Sequence, residues 1–314
     1  MKVPCGWFRL SGLIGKGNRK SLKGKLNEGE EFMNRAERRR LERDARKKSA
    51  ASQNPAPSQQ LDVAAIKRQL QRQTSPENVQ QFIAALVAHG LPREAGEELA
   101  VYTAEYHDAT AILRTGREAE HVTALVSNAH GWADTMISQS PEAARRACQA
   151  GCAFCCYVPT VLVTAAEAVY LAEWLRINCS QEEIDVLRQR LADRQRQSRA
   201  GASTLSTQPP IPCALLQNNQ CMAYAARPLK CRGWNSLRRD VCEQAYGHSP
   251  STTKIPADAY AFMMGNAVLS GLSDSTTDAG LDGRTCDLTE ALIQVLDVPD
   301  AVQRWRNGER LFGK

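Results

Sequence analysis

Thr164-Ala-Ala-Glu167-Ala-Val-Tyr-Leu-Ala-Glu-Trp-Leu-Arg-Ile-Asn-Cys-Ser180-Gln-Glu-Glu183 contains two helix starts in one short stretch. In each, a hydroxyl residue is followed three positions later by Glu. The hydroxyl can accept the third backbone N–H of the coming helix while the Glu reaches back to the cap N–H. Val169, Leu171, Ala172 and Leu175 follow the first start, and Ile184, Leu187 and Leu191 follow the second, at helical spacing. This pair decides the fold class: mostly α, with helical layers around a cysteine-rich site and short extended segments.

Working toward the N-terminus, residues 58–140 read as a helical region. Ser75-Pro76-Glu77 is an N-cap followed by Pro at the first helical position, and Gly90 stops that helix behind Phe82, Ile83, Leu86 and Val87. Pro92 opens the next helix, which carries Leu99, Tyr102, Tyr106 and Ile112 and ends near Gly116; a third is expected over 117–138. His89, His107, His121 and His130 are scattered through this block without metal spacing and are read as satisfied or exposed side chains. Ser140-Pro141-Glu142 is expected to open a helix that delivers Cys148. Toward the C-terminus, residues 250–314 are expected to hold short helices around 257–272, 287–296 and 299–307.

Residues 1–57 read as a basic, disordered extension. The formal charge of the chain is +6, but residues 1–32 carry +4 and residues 33–48 carry +5, which leaves −3 for the rest. The folded body therefore offers no broad basic footprint for nucleic acid. Residues 34–48 pattern as a short charged helix with Glu37/Arg40 and Glu42/Arg46 pairs. Glu28-Gly29-Glu30-Glu31-Phe32 reads as a purine-rich ribosome-binding run translated into protein, so initiation is expected at Met33; the intact mass of the native protein decides this. There is no apolar run of about 18 residues and so no membrane span. No secretory signal is read at the N-terminus, and a reducing cytoplasm is expected. In that compartment closely spaced cysteines more often hold metal than form disulfides.

Seven of the eleven cysteines fall in two segments of the stretch 141–249. Cys148-x3-Cys152-x2-Cys155-Cys156 is the first, and Cys213-x7-Cys221 with Cys231 the second. Three close thiols with a remote fourth suit a [4Fe–4S] cluster, and paired thiols far apart suit structural zinc. Seven candidates exceed one four-ligand site, so a binuclear site or a second site is also open. Cys242 is a candidate eighth ligand, Cys179 reads as packing and Cys286 as a lone thiol. Arg227 and Arg232 bracket Cys231 and could offset the negative charge of a thiolate-bound ion. Pro228 would stiffen the approach to Cys231, while Phe154, Tyr157, Tyr224 and Trp234 could exclude water.

Cys148-x3-Cys152-Ala-Phe154-Cys155 also matches the three-cysteine loop of radical S-adenosylmethionine enzymes. Those place the loop after the first strand of a βα barrel, whereas helices flank it here, and the chain has no glycine-rich turn for a nucleotide.

Taken together, the first Cys segment, Val161-Leu-Val163-Thr164-x-x-Glu167, and Cys213-x7-Cys221-x5-Arg227-Pro228-x2-Cys231-Arg232 resemble the bacterial cysteine-cluster family over about residues 145–240. That family is described as zinc- or iron-chelating, and flagellin lysine methylases carry a related module. The resemblance implies a metal or Fe–S site on Cys148, Cys152, Cys155, Cys156, Cys213, Cys221 and Cys231. Three functions are therefore carried forward. The first is a metal-binding protein using zinc or iron; the second is a cluster-dependent protein-modifying enzyme. The third is an interaction module, with helices 61–138 meeting a protein partner and zinc as a staple.

Overall fold

The computed structural model describes residues 62–116, 118–157, 160–201, 211–247 and 253–313. The basic extension, the charged helix over 34–48, the start at Met33 and His248 lie outside these residues. The chain divides into two compact units, 1–69 and 70–314. Of the first, the described part is the opening of helix α1 (Val63–Gln71).

The protein is mostly α. The helices that follow are α2 (Pro76–Ala88), α3 (Arg93–Thr115), α4 (Ala119–Ser138), α5 (Ala165–Asn178) and α6 (Gln181–Gly201). After Cys221 come α7 (Leu229–Gly233), α8 (Arg239–Gly247), α9 (Ala259–Asp278), α10 (Leu288–Val295) and α11 (Ala301–Arg306). Strand β1 (Leu162–Thr164) pairs antiparallel with β4 (Thr285–Asp287), placing Val163 opposite Cys286. Strands β2 (Leu216–Gln217) and β3 (Gln220–Cys221) form a hairpin whose two turn residues, Asn218 and Asn219, both have positive φ. Asn tolerates that conformation, and the resulting turn matches strand twist. No helix among the described residues is long and apolar enough to cross a membrane.

The expected caps form. Ser75 accepts from Asn78 N–H, and Thr164 with Glu167 makes a complete capping box. At the start of α6, Glu183 Oε2 accepts from Ser180 N–H at 2.8 Å while Ser180 Oγ accepts from Glu183 N–H at 3.2 Å. The helix expected from Ser140 is the exception. The chain makes only a 3-10 turn over Ala143–Arg145 and then extends toward Cys148. Partners distant in sequence account for the difference. Ser140 Oγ donates to Asp258 Oδ1 at 2.8 Å, Arg146 Nε donates to Asp258 Oδ2 at 2.9 Å, and Ala147 N–H donates to Ser236 O at 2.8 Å. These bonds hold the segment against the start of α9 and the loop after α7, overriding the local helix signal.

One core runs through residues from α3, α4, α5, α6, α9, α10 and α11, and it includes Tyr102, Leu125, Leu171, Leu187, Leu272, Leu292 and Trp305. Core residues from 101–137, 163–229 and 261–312 thus share a single apolar interior in the second unit. Small residues set the close approaches. A Cβ on Gly265 would sit 3.2 Å from Gly233 Cα and 3.3 Å from Leu229 O. Helix α7, which carries Cys231, therefore packs against α9 nearly backbone to backbone.

Candidate metal centre

The helical hairpin α5–α6 separates the two cysteine segments in sequence, and backbone bonding rejoins them. Cys213 N–H donates to Cys156 O at 2.7 Å. A 3-10 turn, Phe154–Tyr157, presents Cys155 and Cys156, and the β2–β3 hairpin presents Cys213 just before it and Cys221 at its end. Pro228 opens the short helix α7 and places Cys231 in the middle of it.

Several sulfurs receive backbone donors. Ser236 N–H reaches Cys148 Sγ at 3.2 Å, and the N–H groups of Leu215 and Ala223 donate to Cys213 and Cys221. N–H groups aimed at sulfur stabilise the thiolate form and orient it as a ligand. Burial opposes this. It pushes the Cys148 and Cys213 thiols up, the Cys221 thiol to about 11, and Cys231 higher still. Cys155 departs in the other direction. The Cys156 S–H donates to it, holding Cys155 below the ordinary thiol value and Cys156 above it.

The Cys213–Cys156 backbone bond holds the Phe154–Tyr157 turn beside the chain that enters the β2–β3 hairpin, and nearby thiols add to burial in raising Cys148, Cys156 and Cys231. Even so, no three His, Cys, Asp or Glu side chains among the described residues are grouped tightly enough to hold an ion as they stand. The region supplies soft sulfur donors with N–H support, the chemistry that zinc and iron favour, without a formed cage among the described residues.

The two arginines separate. Arg227 stacks over the Tyr224 ring at 4.2 Å, and its positive charge acts to lower the Cys155, Cys221 and Cys231 thiols. Arg232 is engaged elsewhere. Its guanidinium donates to Arg227 O at 2.9 Å, to Asp134 Oδ2 at 2.6 Å, to His130 Nδ1 at 3.2 Å and to Ala225 O. Trp234 packs edge-on to Phe262 at 5.7 Å, and Tyr224 is exposed.

Three supporting residues make long-range bonds that the sequence does not signal. Because His130 Nδ1 accepts from Arg232, the ring proton sits on Nε2, which faces Glu167 Oε1 at 3.9 Å. Glu167 Oε1 accepts from Leu229 N–H at 2.7 Å, and Oε2 accepts from Thr164 N–H at 2.9 Å. Burial pushes Glu167 up, but His130 and these N–H groups outweigh it and hold the carboxylate low. One buried side chain thus caps α5 and anchors the start of α7 beside Cys231. Arg194, buried in the charged helix α6, holds the approach to Cys213 through Ile211 O at 2.6 Å and Pro212 O at 2.8 Å.

Cys286 lies on β4, where its thiol donates to Val163 O at 3.8 Å, and Cys179 packs against the core at the end of α5. Compared with known proteins, the chain matches no family model, no curated protein and no solved structure.

Proposed function

We propose that this chain is a thiolate metal-binding protein whose zinc or iron ligands are drawn from Cys148, Cys152, Cys155, Cys156, Cys213, Cys221 and Cys231. The observation that carries the proposal is the convergence of two cysteine segments, far apart in sequence, through the Cys213–Cys156 backbone bond. The N–H donors to Cys148, Cys213 and Cys221 and the nearby Arg227 support it, since both favour sulfur in its charged, ligating form. The motif resemblance to the cysteine-cluster family agrees with the same ligand set. An ion here would act first as a staple between the turn after Gly151, the β2–β3 hairpin and α7. As a [4Fe–4S] cluster it would add electron transfer.

The test is elemental analysis with a UV–visible spectrum on protein purified without air. Zinc with no visible colour supports a structural centre. About four iron and four sulfide with broad absorption near 400 nm support a cluster. Protein that holds no metal and is unchanged in stability by C231S sinks the proposal.

A further inference from the structure

We propose that Glu105 is a pH-operated switch at the seam between α3 and α9: uncharged, it lets the two helices pack together, and loss of its proton forces them apart. This goes beyond the thiol site and does not depend on a metal there.

The seam itself is the first observation. A Cβ added to Gly271 of α9 would lie 2.7 Å from Tyr102 O, 2.9 Å from Glu105 Cβ and 3.0 Å from Glu105 Cγ on α3. The helices therefore meet at the residue that carries the carboxyl group, with a glycine opposite it. The carboxyl group is the second observation. Glu105 is 1% exposed, and both its oxygens are buried without a hydrogen-bond partner among the described residues. Buried polar groups are normally bonded, and a buried charge is normally paired. With its proton, Glu105 is a neutral polar group that a dry seam can hold. Ionised, it needs water, and water reaches it when the seam opens.

The third observation is what the surrounding elements offer. On α3, Asp108 follows one turn later and accepts from Trp132 Nε1 at 2.9 Å. On α5, Glu167 accepts from Leu229 N–H and Thr164 N–H. Both carboxylates repel a charge on Glu105 and favour its neutral form. Basic groups of α4 and α7 are committed elsewhere. His130 accepts from Arg232 on Nδ1 and turns Nε2 toward Glu167 at 3.9 Å, Arg232 also pairs with Asp134, and Lys230 donates to Asn266. Helix α2 contributes the buried apolar residues Val79 and Ile83. On α9, Asp274 accepts from Tyr102 OH at 2.8 Å and Asp278 from Tyr106 OH at 2.7 Å. These two clasps join the same pair of helices along one edge, about which the seam can open. The released proton passes to solvent, and the carboxylate left behind is hydrated in the opened seam.

The experiment is hydrogen exchange of the full-length protein over a pH series, in wild type and in E105Q, which keeps the shape of the neutral acid and cannot ionise. Burial raises the proton affinity of Glu105 above the ordinary carboxylate value. Across that window, each pH unit should lower wild-type protection around Tyr102 and Gly271 by up to about tenfold, after correction for intrinsic exchange. E105Q should keep its protection constant, and α6 should keep its protection in both proteins. Equal pH dependence in the two proteins, none in wild type, or loss in α6 in step with α9 overturns the switch. Infrared spectra give a second readout. Wild type should show the C=O stretch of a protonated carboxylic acid at neutral pH, and E105D should move that band. A wild-type spectrum without the band, or a band that E105D leaves in place, overturns the proposal.

Discussion

At the residue scale, the most consequential side chain outside the thiols is Glu105. It is 1% exposed on α3, and neither carboxyl oxygen has a hydrogen-bond partner among the described residues. Burial first, then repulsion from Asp108 and Glu167, push its proton affinity well above the ordinary carboxylate value. Between that ordinary value and the raised one, the folded state binds the proton and the unfolded state does not. Stability is therefore greatest below the ordinary carboxylate value and falls as pH rises through this window. E105Q removes the titration. Urea unfolding should show E105Q gaining on wild type by about 1–3 kcal/mol as pH rises above the ordinary carboxylate value; parallel pH profiles for the two proteins would refute this. Arg232 shows how far one residue can be read from its neighbour. Its position beside Cys231 suggested a shared role, but successive helix residues project about 100° apart. Cys231 faces the thiols, and Arg232 faces Asp134 and His130.

At the scale of elements, local signals were legible and long-range ones were not. The Thr164/Glu167 capping box is written in four adjacent residues, so the start of α5 was visible. The second use of Glu167, accepting from Leu229 N–H, depends on a residue brought near only by folding. The two uses predict different costs. T164A should cost about 1 kcal/mol, an ordinary cap loss. E167A should cost about 3–5 kcal/mol, because it also leaves the Leu229 N–H and His130 without their buried partner; equal thermal shifts for the two variants would show that the α7 contact is idle. The failed helix after Ser140 follows the same logic in reverse: Asp258 takes Ser140 and Arg146, and nothing near them in sequence announces it. Helix contacts can be tested at Gly271, where an added Cβ would lie 2.7 Å from Tyr102 O and 2.9 Å from Glu105 Cβ. G271A should push α9 off α3 and lower stability by about 1–3 kcal/mol, measured by chemical denaturation.

At the scale of the whole molecule, the cysteine positions were legible because thiols at short spacing must share a small volume. Which sulfur neighbours which was hidden, since α7, α8 and the β2–β3 hairpin set that in three dimensions. If the proposed metal is present, stripping it should lower the thermal midpoint, as the apparent binding energy of structural zinc is on the order of 10 kcal/mol. The difference should shrink on acidification, because protons compete with the metal for the same sulfurs. Differential scanning calorimetry with and without chelator checks both expectations, and identical melts would argue against a staple.

The backbone bond from Cys213 to Cys156 also constrains the order of events in time. During synthesis the first thiols emerge well before the second set, and the α5–α6 hairpin must fold back before the two meet. Closing such a distance in sequence is slow compared with forming any single helix. A metal ion would therefore not seed the fold but would arrive as a latch on a chain already largely assembled. Uptake by the refolding protein should then lag the recovery of helical signal.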